Sequence, residues 1–140
     1  MATIGAENKK VPGAENASLT IGSDLYAFAQ DYNYDEGYEE IKDPVGGTTA
    51  PVLTPGTFDG NFESEMVYTS DLPTNFLTLT NGDLPVKTIA LALKDVQSSP
   101  VTKTHTISNA KIFRQGIRKQ RHNLVRYHLR AVYPQPVVVT

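Results

Sequence analysis

Apolar and polar residues alternate along much of this 140-residue chain, which is the pattern of β-strands rather than of helices. The clearest case is TFDGNFESEMVY, residues 57–68. One face of this segment is largely apolar and holds Phe58, Gly60, Phe62, Ser64, Met66 and Tyr68. The opposite face is largely polar and holds Asp59, Asn61, Glu63, Glu65 and Val67. The segment is therefore predicted to be a strand with one core face and one acidic face.

The same alternation predicts a hairpin near the start of the chain. Residues 17–21 (ASLTI) precede the turn residues Gly22-Ser23-Asp24, and LYAFAQDYNY, residues 25–34, resumes the pattern. Tyr26 and Phe28 have period-two spacing in this second arm. The chain is expected to leave the sheet at three carboxylates, Asp31, Asp35 and Glu36.

The C-terminal half predicts one strand followed by a second hairpin. Residues 85–97 (PVKTIALALKDVQ) form the strand, with Ile89, Leu91 and Leu93 facing inward. The hairpin pairs residues 104–116 with residues 123–134 through a basic segment, 116–122. The apolar face of its second arm holds Val125, Tyr127, Leu129, Ala131 and Tyr133. The opposite face is basic and holds Arg126, His128 and Arg130.

Three segments do not follow the strand pattern. Residues 1–16 are small and polar, which predicts a flexible N-terminal arm. Residues 40–57 contain three prolines and three glycines, which predicts a long connection that is either a binding or assembly loop or a tolerated surface insertion. After Ser70-Asp71, an apolar stripe predicts a short helix ending at Asn81-Gly82. A hairpin through Asn81-Gly82 is the alternative, because threonine-rich segments are poor helix formers.

Together these segments predict an all-β fold. We expect a β-sandwich or barrel of antiparallel strands with one short flanking α-helix, in a single domain over residues 17–140. The composition agrees, because seven tyrosines, five phenylalanines and many valines and threonines favour strands. The absence of cysteine excludes disulfides and zinc–cysteine sites. No segment has the length of an apolar membrane span or the form of a secretion signal, so neither is expected.

The net charge of −2 hides a strong division along the chain. Residues 1–83 hold three basic residues and fourteen carboxylates, a balance of −11. Residues 84–140 hold ten basic residues and one carboxylate, Asp95, a balance of +9. Such halves neutralise each other either within one fold or between copies.

No motif predicts catalysis, a cofactor or a metal site. Asp59, Asn61 and Glu63 have the alternate spacing of a calcium loop, but loop positions six and twelve are Ser64 and Ser70, where an EF-hand needs glycine and glutamate. The three histidines lack the spacing of metal ligands, and the chain has neither a nucleophile elbow nor a phosphate-binding glycine motif. The chain is therefore not expected to be an enzyme.

The charge division instead favours head-to-tail contacts between copies of the chain. The residues predicted at such an interface are charged and come from both halves: Arg114, Arg118, Lys119, Arg121, Arg126, Arg130, Asp35, Glu36, Glu39 and Glu40. The loop predicted to take part in assembly carries Val45, Gly46, Gly47, Pro51, Pro55 and Gly56.

The order of these elements resembles that of one family. An opening hairpin (LTIGSDLYAFAQDYNY), a long loop with Gly46, Gly47, Pro51 and Gly56, an acidic strand (FDGNFESEMVY), a helix and a closing β pair are similar to the tail tube proteins of long-tailed bacteriophages and contractile injection machines. The resemblance covers residues 17–133 and rests on element order, glycines and alternating apolar positions.

The resemblance implies a structural virion protein of the phage tail, made in the host cytoplasm. Six copies would form a ring whose strands make a continuous channel, and rings would stack with each other and meet sheath or terminator proteins. Double-stranded DNA would pass through the lumen without specific binding. An acidic lumen would be lined by Asp59, Glu63 and Glu65. The basic closing hairpin would then lie between subunits or face outward.

Two other functions fit the sequence. The basic segment from Arg114 to Arg130 suits a small nucleic-acid-binding β module, although it lacks the exposed aromatic residues on which bases stack. A β-sandwich adaptor elsewhere in a virion would keep the fold and change the partner.

Overall fold

The computed structural model describes residues 3–4, 7–10, 12, 17–27, 29–43, 52–72 and 83–140. These residues form eight strands: β1 (Ala17–Ile21), β2 (Asp24–Leu25), β3 (Ala29–Asp43), β4 (Val52–Val67), β5 (Val86–Lys94), β6 (Thr102–Arg118), β7 (Arg126–Tyr133) and β8 (Val138–Val139). The only helical element among the described residues is a 3₁₀ turn, Asn8–Lys10. None of the described helical residues makes a span long and apolar enough to cross a membrane. The prediction of an all-β fold is therefore confirmed.

All strand pairs are antiparallel, in the order β2-β1-β5-β6-β7-β4-β3, and β8 also pairs with β6. The long strand β6 has two partners along its length. Residues 102–111 pair with β5, and residues 111–118 pair with β7. The change of partner lies near Asn109, whose φ of 56° marks an irregularity in the ladder. The strand thereby joins two layers.

We call these the four-stranded layer (β3, β4, β7 and residues 111–118) and the five-stranded layer (β2, β1, β5, residues 102–111 and β8). Their facing sides share one hydrophobic core. The largest fully buried side chains come from both layers: Tyr127, Phe62, Leu19, Ile21, Met66, Ile89, Ile107, Ile112 and Leu129. A hydrogen bond of 2.6 Å between the Tyr34 hydroxyl and His105 Nδ1 also connects the layers. The arrangement is that of a sandwich in which β6 belongs to both layers.

The predicted faces of the acidic strand and the closing hairpin are confirmed within β4 and β7, whereas Tyr68, just beyond β4, is 37% exposed. Gly60, Phe62, Ser64 and Met66 are buried along β4, while Asp59, Asn61 and Glu63 are exposed. Tyr127, Leu129, Ala131 and Tyr133 are buried along β7. In β5, Ile89 and Leu91 are buried and Leu93 is half-buried.

The opening hairpin is only partly as predicted. β1 and β2 do pair through a tight turn at Gly22, whose φ is 64°. The chain does not leave the sheet at Asp31, Asp35 and Glu36, because all three lie within β3, which pairs with β4 and not with β1. An edge strand with one face in solvent accepts many carboxylates, so these charges do not end it.

The predicted loop over residues 40–57 is too long at both ends. Residues 40–43 belong to β3, and residues 52–57 belong to β4, including Pro55 and Gly56. These parts pair with each other in a two-stranded ribbon, where each strand has a free edge and tolerates a proline. Residues 44–51, with Val45, Gly46, Gly47 and Pro51, lie outside the described residues.

Two other predicted segments are described only in part. The short helix, or its hairpin alternative through Asn81-Gly82, falls mainly on residues 73–82, which lie outside the described residues; Leu72 is described and is buried. Within the N-terminal arm, the backbone N–H of Val96 donates to the carbonyl of Lys9 at 3.1 Å. This part of the arm is attached to the turn between β5 and β6.

That turn is closed by the buried carboxylate of Asp95. Its Oδ1 accepts hydrogen bonds from the backbone N–H groups of Val101 at 3.0 Å and Gln97 at 3.4 Å. The hydrogen bond from Val101, followed by that from the Gln97 side chain, holds the pKa of Asp95 below its ordinary value of 3.8.

Folding therefore favours the ionised form of Asp95, and its contribution is present above pH 3.8 and lost as the pH falls through the lower folded-state pKa. Asp95→Asn should reduce the free energy of unfolding at neutral pH and make it fall less steeply below pH 3.8 than in the wild type. Urea unfolding at several pH values measures this. Asp59→Asn, an exposed change of the same charge, is the control, and equal pH profiles for D95N and wild type would contradict the assignment.

Gly60 and Tyr133 form a close cross-strand pair in which only glycine fits. The two residues are in register, and a Cβ on Gly60 would lie 2.6 Å from Cδ2 of the buried Tyr133 ring. Gly60→Ala should therefore lower the free energy of unfolding by about 1–3 kcal/mol, as overpacked cores do. Gly37→Ala is a matched control on the neighbouring strand, because a Cβ there meets nothing within 4 Å. Urea unfolding compares the two, and equal losses would refute the clash.

Candidate functional site

The exposed face of the four-stranded layer carries charged residues in rows that cross the strands. One row contains Asn33, Glu63, Arg130 and Arg114, from β3, β4, β7 and β6 in turn. Arg130 Nε lies 3.0 Å from Glu63 Oε1. Arg114 ends the row beside another arginine, so the row changes from a carboxylate on β4 to positive charge on β7 and β6. Like charges opposite each other are unfavourable unless a carboxylate balances them.

A second row contains Asp31, Glu65, His128 and Gly116. Glu65 Oε1 also lies 3.8 Å from Nε of Arg126, the residue two positions before His128 in β7. A Cβ on Gly116 would lie 2.6 Å from His128 Nε2, so the glycine leaves space for the imidazole. This row too runs from acidic residues on β3 and β4 to a basic residue on β7.

The structure brings together two sets of residues that the sequence analysis separated. The lumen candidates Asp59, Glu63 and Glu65 lie on one face of β4. Four interface candidates, Arg114, Arg118, Arg126 and Arg130, lie on the same face of β6 and β7. The acidic and basic residues are therefore neighbours on one face, because β4 and β7 pair directly.

The four-stranded layer has two edges that no strand of the described residues covers. One is the outer edge of β3, and the other is the edge of residues 113–118 that faces away from β7. The β3 edge carries the carboxylates Asp31, Asp35 and Glu36, and the β6 edge carries Arg114 and Arg118. Unpaired strand edges offer rows of backbone donors and acceptors to another chain. Here the two edges also have opposite charge.

One end of this layer extends as a two-stranded ribbon, residues 38–43 of β3 with residues 52–58 of β4. Within the described residues these positions pair only with each other, because β7 reaches no further than Gly60. Glu39 and Glu40 are exposed, and Tyr38 is 57% exposed. The Tyr38 ring contacts Phe58 at 5.4 Å between centroids, and Phe58 contacts Tyr133 at 5.9 Å. Isolated ribbons are marginally stable, so this one is suited to packing against a partner.

The opposite end of the layer is the turn between β6 and β7, and it is basic. Arg118, Lys119 and Arg121 are exposed there. Two large apolar side chains flank them, Ile117 at 60% exposure and Leu124 at 66%. The layer therefore has an acidic ribbon with exposed apolar residues at one end and a basic turn with exposed apolar residues at the other.

Two tyrosines, Tyr127 and Tyr133, are titratable side chains buried in the core. Burial raises the pKa of Tyr127 to about 12, and its hydroxyl donates to Gln115 Oε1 at 2.7 Å. Burial, followed by the charge of Glu36, raises the pKa of Tyr133. Among the described residues no group of three or more histidines and carboxylates is placed to hold a metal ion.

Sequence reasoning found most of the charged residues but missed how they pair. Asp31, Asp35 and Glu36 are predicted to mark the end of a strand, and the Glu63–Arg130 and Glu65–Arg126 pairs are not predicted. A signal was present: the acidic residues of one strand and the basic residues of another both repeat with period two. Matching alternation of opposite charge suggests that two strands are neighbours.

Proteins with a similar fold are found among solved structures. No family model matches the sequence, and no curated protein matches it. Among solved structures, the chain is similar to one from the PVC sheath–tube complex of an extracellular contractile injection system in the extended state, with a TM-score of 0.75 and 12% identity over 98% of this chain and 93% of that one.

Two more structures are similar. One is a chain of the anti-feeding prophage baseplate, 6-fold symmetrised, with a TM-score of 0.67 and 14% identity over 89% of this chain and 90% of that one. The other is the SPP1 tail tube, with a TM-score of 0.65 and 9% identity over 92% of this chain and 78% of that one. The structural neighbours are thus tube and terminator proteins of tails and injection systems, and the resemblance drawn from the sequence is confirmed at the level of fold.

Proposed function

We propose that this chain is a structural, non-enzymatic subunit of a phage-type tail tube, located in the tail of a virion or similar particle, and that it assembles into rings. The observation that carries the proposal is the pair of oppositely charged edges of the four-stranded layer that the described strands leave uncovered. The shared fold of a tail tube and of a sheath–tube complex supports it.

Strand direction supports ring closure through these edges. The antiparallel pairs make β3 and β7 run one way and β4 and β6 the other. When the β6 edge of one copy meets the β3 edge of the next in a ring, the alternation of directions continues, and the new pair is antiparallel. Such a head-to-tail contact repeats until the ring closes. Each copy then adds four strands to a continuous barrel that has no free edge.

The charge rows support the same contact. Arg114 ends its row at the β6 edge, and the carboxylates Asp31 and Asp35 lie on the β3 edge. Joining copies places acidic β3 beside basic β6, so that two acidic strands alternate with two basic strands around the ring. Complementary charge of this kind fixes the orientation of an interface and disfavours wrong partners.

The ring is proposed to contain six copies, as the 6-fold symmetry of the baseplate structure suggests. Its channel is lined by the exposed face of the four-stranded layer, with Asp59, Glu63 and Glu65, and double-stranded DNA passes through it. Rings stack through the ribbon and the adjoining residues 44–51, including Val45, Gly46, Gly47 and Pro51. The acidic ribbon, with Glu39 and Glu40, meets the basic turn, with Lys119 and Arg121, of the next ring. Sheath and terminator proteins are the other proposed partners.

Electron microscopy of the purified protein, with sedimentation at low and high salt, tests this function. We expect rings or hollow tubes with a channel wide enough for a duplex, and we expect rings to survive moderate salt because backbone pairing is not screened. A monomer at every protein concentration and at low salt would refute the proposal.

A further inference from the structure

The exposed face of the four-stranded layer is electrically balanced. Its acidic residues are Asp31, Asp35, Asp59, Glu63 and Glu65, and its basic residues are Lys111, Arg114, Arg118, Arg126 and Arg130. In a channel lined by this face, acidic and basic residues would be equal in number, whereas the family resemblance implies an acidic lumen. An acidic wall would repel DNA by its net charge, and this face lacks that property.

Two of the five basic side chains are instead held by carboxylates of the neighbouring strand. Arg130 Nε lies 3.0 Å from Glu63, and both side chains are about half exposed, at 47% and 48%. Arg126 Nε lies 3.8 Å from Glu65, at 38% and 31% exposure. Arg126 also donates a hydrogen bond to Gln30 Oε1 of β3. These two arginines lie near the middle of the sheet, away from the edges that meet other copies.

Such pairs change what an arginine does to a polyanion. DNA backbones are bound mainly by lysine and arginine side chains that neutralise phosphates and release counterions. A guanidinium paired with a carboxylate through Nε has fewer free N–H donors for a phosphate, and the carboxylate offsets its positive charge. Both effects weaken binding without any change in the number of arginines.

We propose that Glu63 and Glu65 hold Arg130 and Arg126 in cross-strand ion pairs that prevent this face from retaining duplex DNA. The ion pairs are a property of the single chain, whereas their role in a channel rests on the proposed tube function. The carboxylates act on the arginines and not by general repulsion, which gives Glu63 a different role from Asp59 on the same strand and the same face.

The test measures binding of a short fluorescent duplex DNA to the assembled protein over a range of salt concentrations. Glu63→Gln should raise the affinity for duplex DNA about tenfold, and Glu63→Gln with Glu65→Gln should raise it further. Each released arginine should steepen the dependence of log affinity on log salt by about 0.9. Asp59→Asn removes the same charge from the same face but is in no ion pair of the described residues, so it should have little effect.

A fourth variant identifies the groups that bind the duplex. Adding Arg126→Ala and Arg130→Ala to the double glutamine variant should return the affinity to the wild-type value. Equal gains for E63Q and D59N would overturn the proposal, because net charge alone would then explain binding. Tight binding by the wild type would also overturn it.

Electron microscopy of the same samples separates this inference from the tube function. If rings form and E63Q gains no affinity, the ion-pair inference fails and the tube function stands. If no variant forms rings but E63Q binds DNA and D59N does not, the inference about the face stands and the tube function fails.

Discussion

Replacing both Arg114 and Arg118 with glutamate should leave the protein monomeric. In the proposed ring these two residues of the β6 edge face the carboxylates of the β3 edge of the next copy. Reversal places like charges along the whole contact, and such juxtaposition costs several kcal/mol. The cost recurs at each contact in the ring, whereas the fold loses little because Arg114 and Arg118 are exposed. Sedimentation velocity and electron microscopy would report the loss of rings, and circular dichroism would report the retained fold.

A charge swap makes this prediction specific. Adding Asp31→Lys and Asp35→Lys to the reversed variant restores opposite charges across the contact and should restore rings. Lys94→Glu with Lys103→Glu is the matched control, because both lysines are exposed and lie on strands of the five-stranded layer away from the two edges. Rings formed by the reversed variant, or lost equally in the control, would show that the two edges do not meet.

Removing the outer part of the ribbon should give single rings and no tubes. A deletion of residues 40–43 together with residues 52–55 takes four residues from each strand, and these residues are paired with each other. The register of the remaining ribbon is therefore kept, and Glu39 and Gly56 become its new end. None of the described core residues is removed, because those of β4 begin at Phe62. Tube length in electron micrographs measures the effect.

The control for this deletion removes charge from the ribbon without shortening it. Glu39→Gln with Glu40→Gln keeps the ribbon and removes charge, so stacking should weaken at low salt but not disappear. Tubes of normal length from the deletion variant would exclude the ribbon as the stacking element. Loss of rings as well as tubes would mean that the ribbon also supports lateral contacts.

The features that were predicted correctly from the sequence, the buried strand faces and the fold class, depend on local periodicity. The alternation in residues 57–68 and 125–133 identified the buried face of each strand, because side chains of any strand alternate whatever its neighbours are. The fold class followed from several such segments. The candidate residues followed from charge, which is also visible along the chain.

The predictions that were wrong or missing concern features that depend on residues far apart in the sequence. The acidic residues of β3 suggested the end of a strand, yet an edge strand in solvent tolerates them, and only the pairing with β4 shows that β3 is an edge. The division of β6 between two layers has no clear pattern in the sequence apart from Asn109, a residue type that tolerates its φ of 56°. The ion pair of Glu63 with Arg130 requires the register of β4 and β7.

The acidic ribbon and the basic turn lie at opposite ends of the four-stranded layer. In the proposed tube, this arrangement determines how new rings are added. A polymer built by stacking such units has two chemically different tips, as an actin-like filament does. One tip presents only basic turns and the other only acidic ribbons, so new rings add by different contacts at each. A starting platform needs to match just one of these tips to set the direction of growth, and a protein that caps the other tip sets the final length.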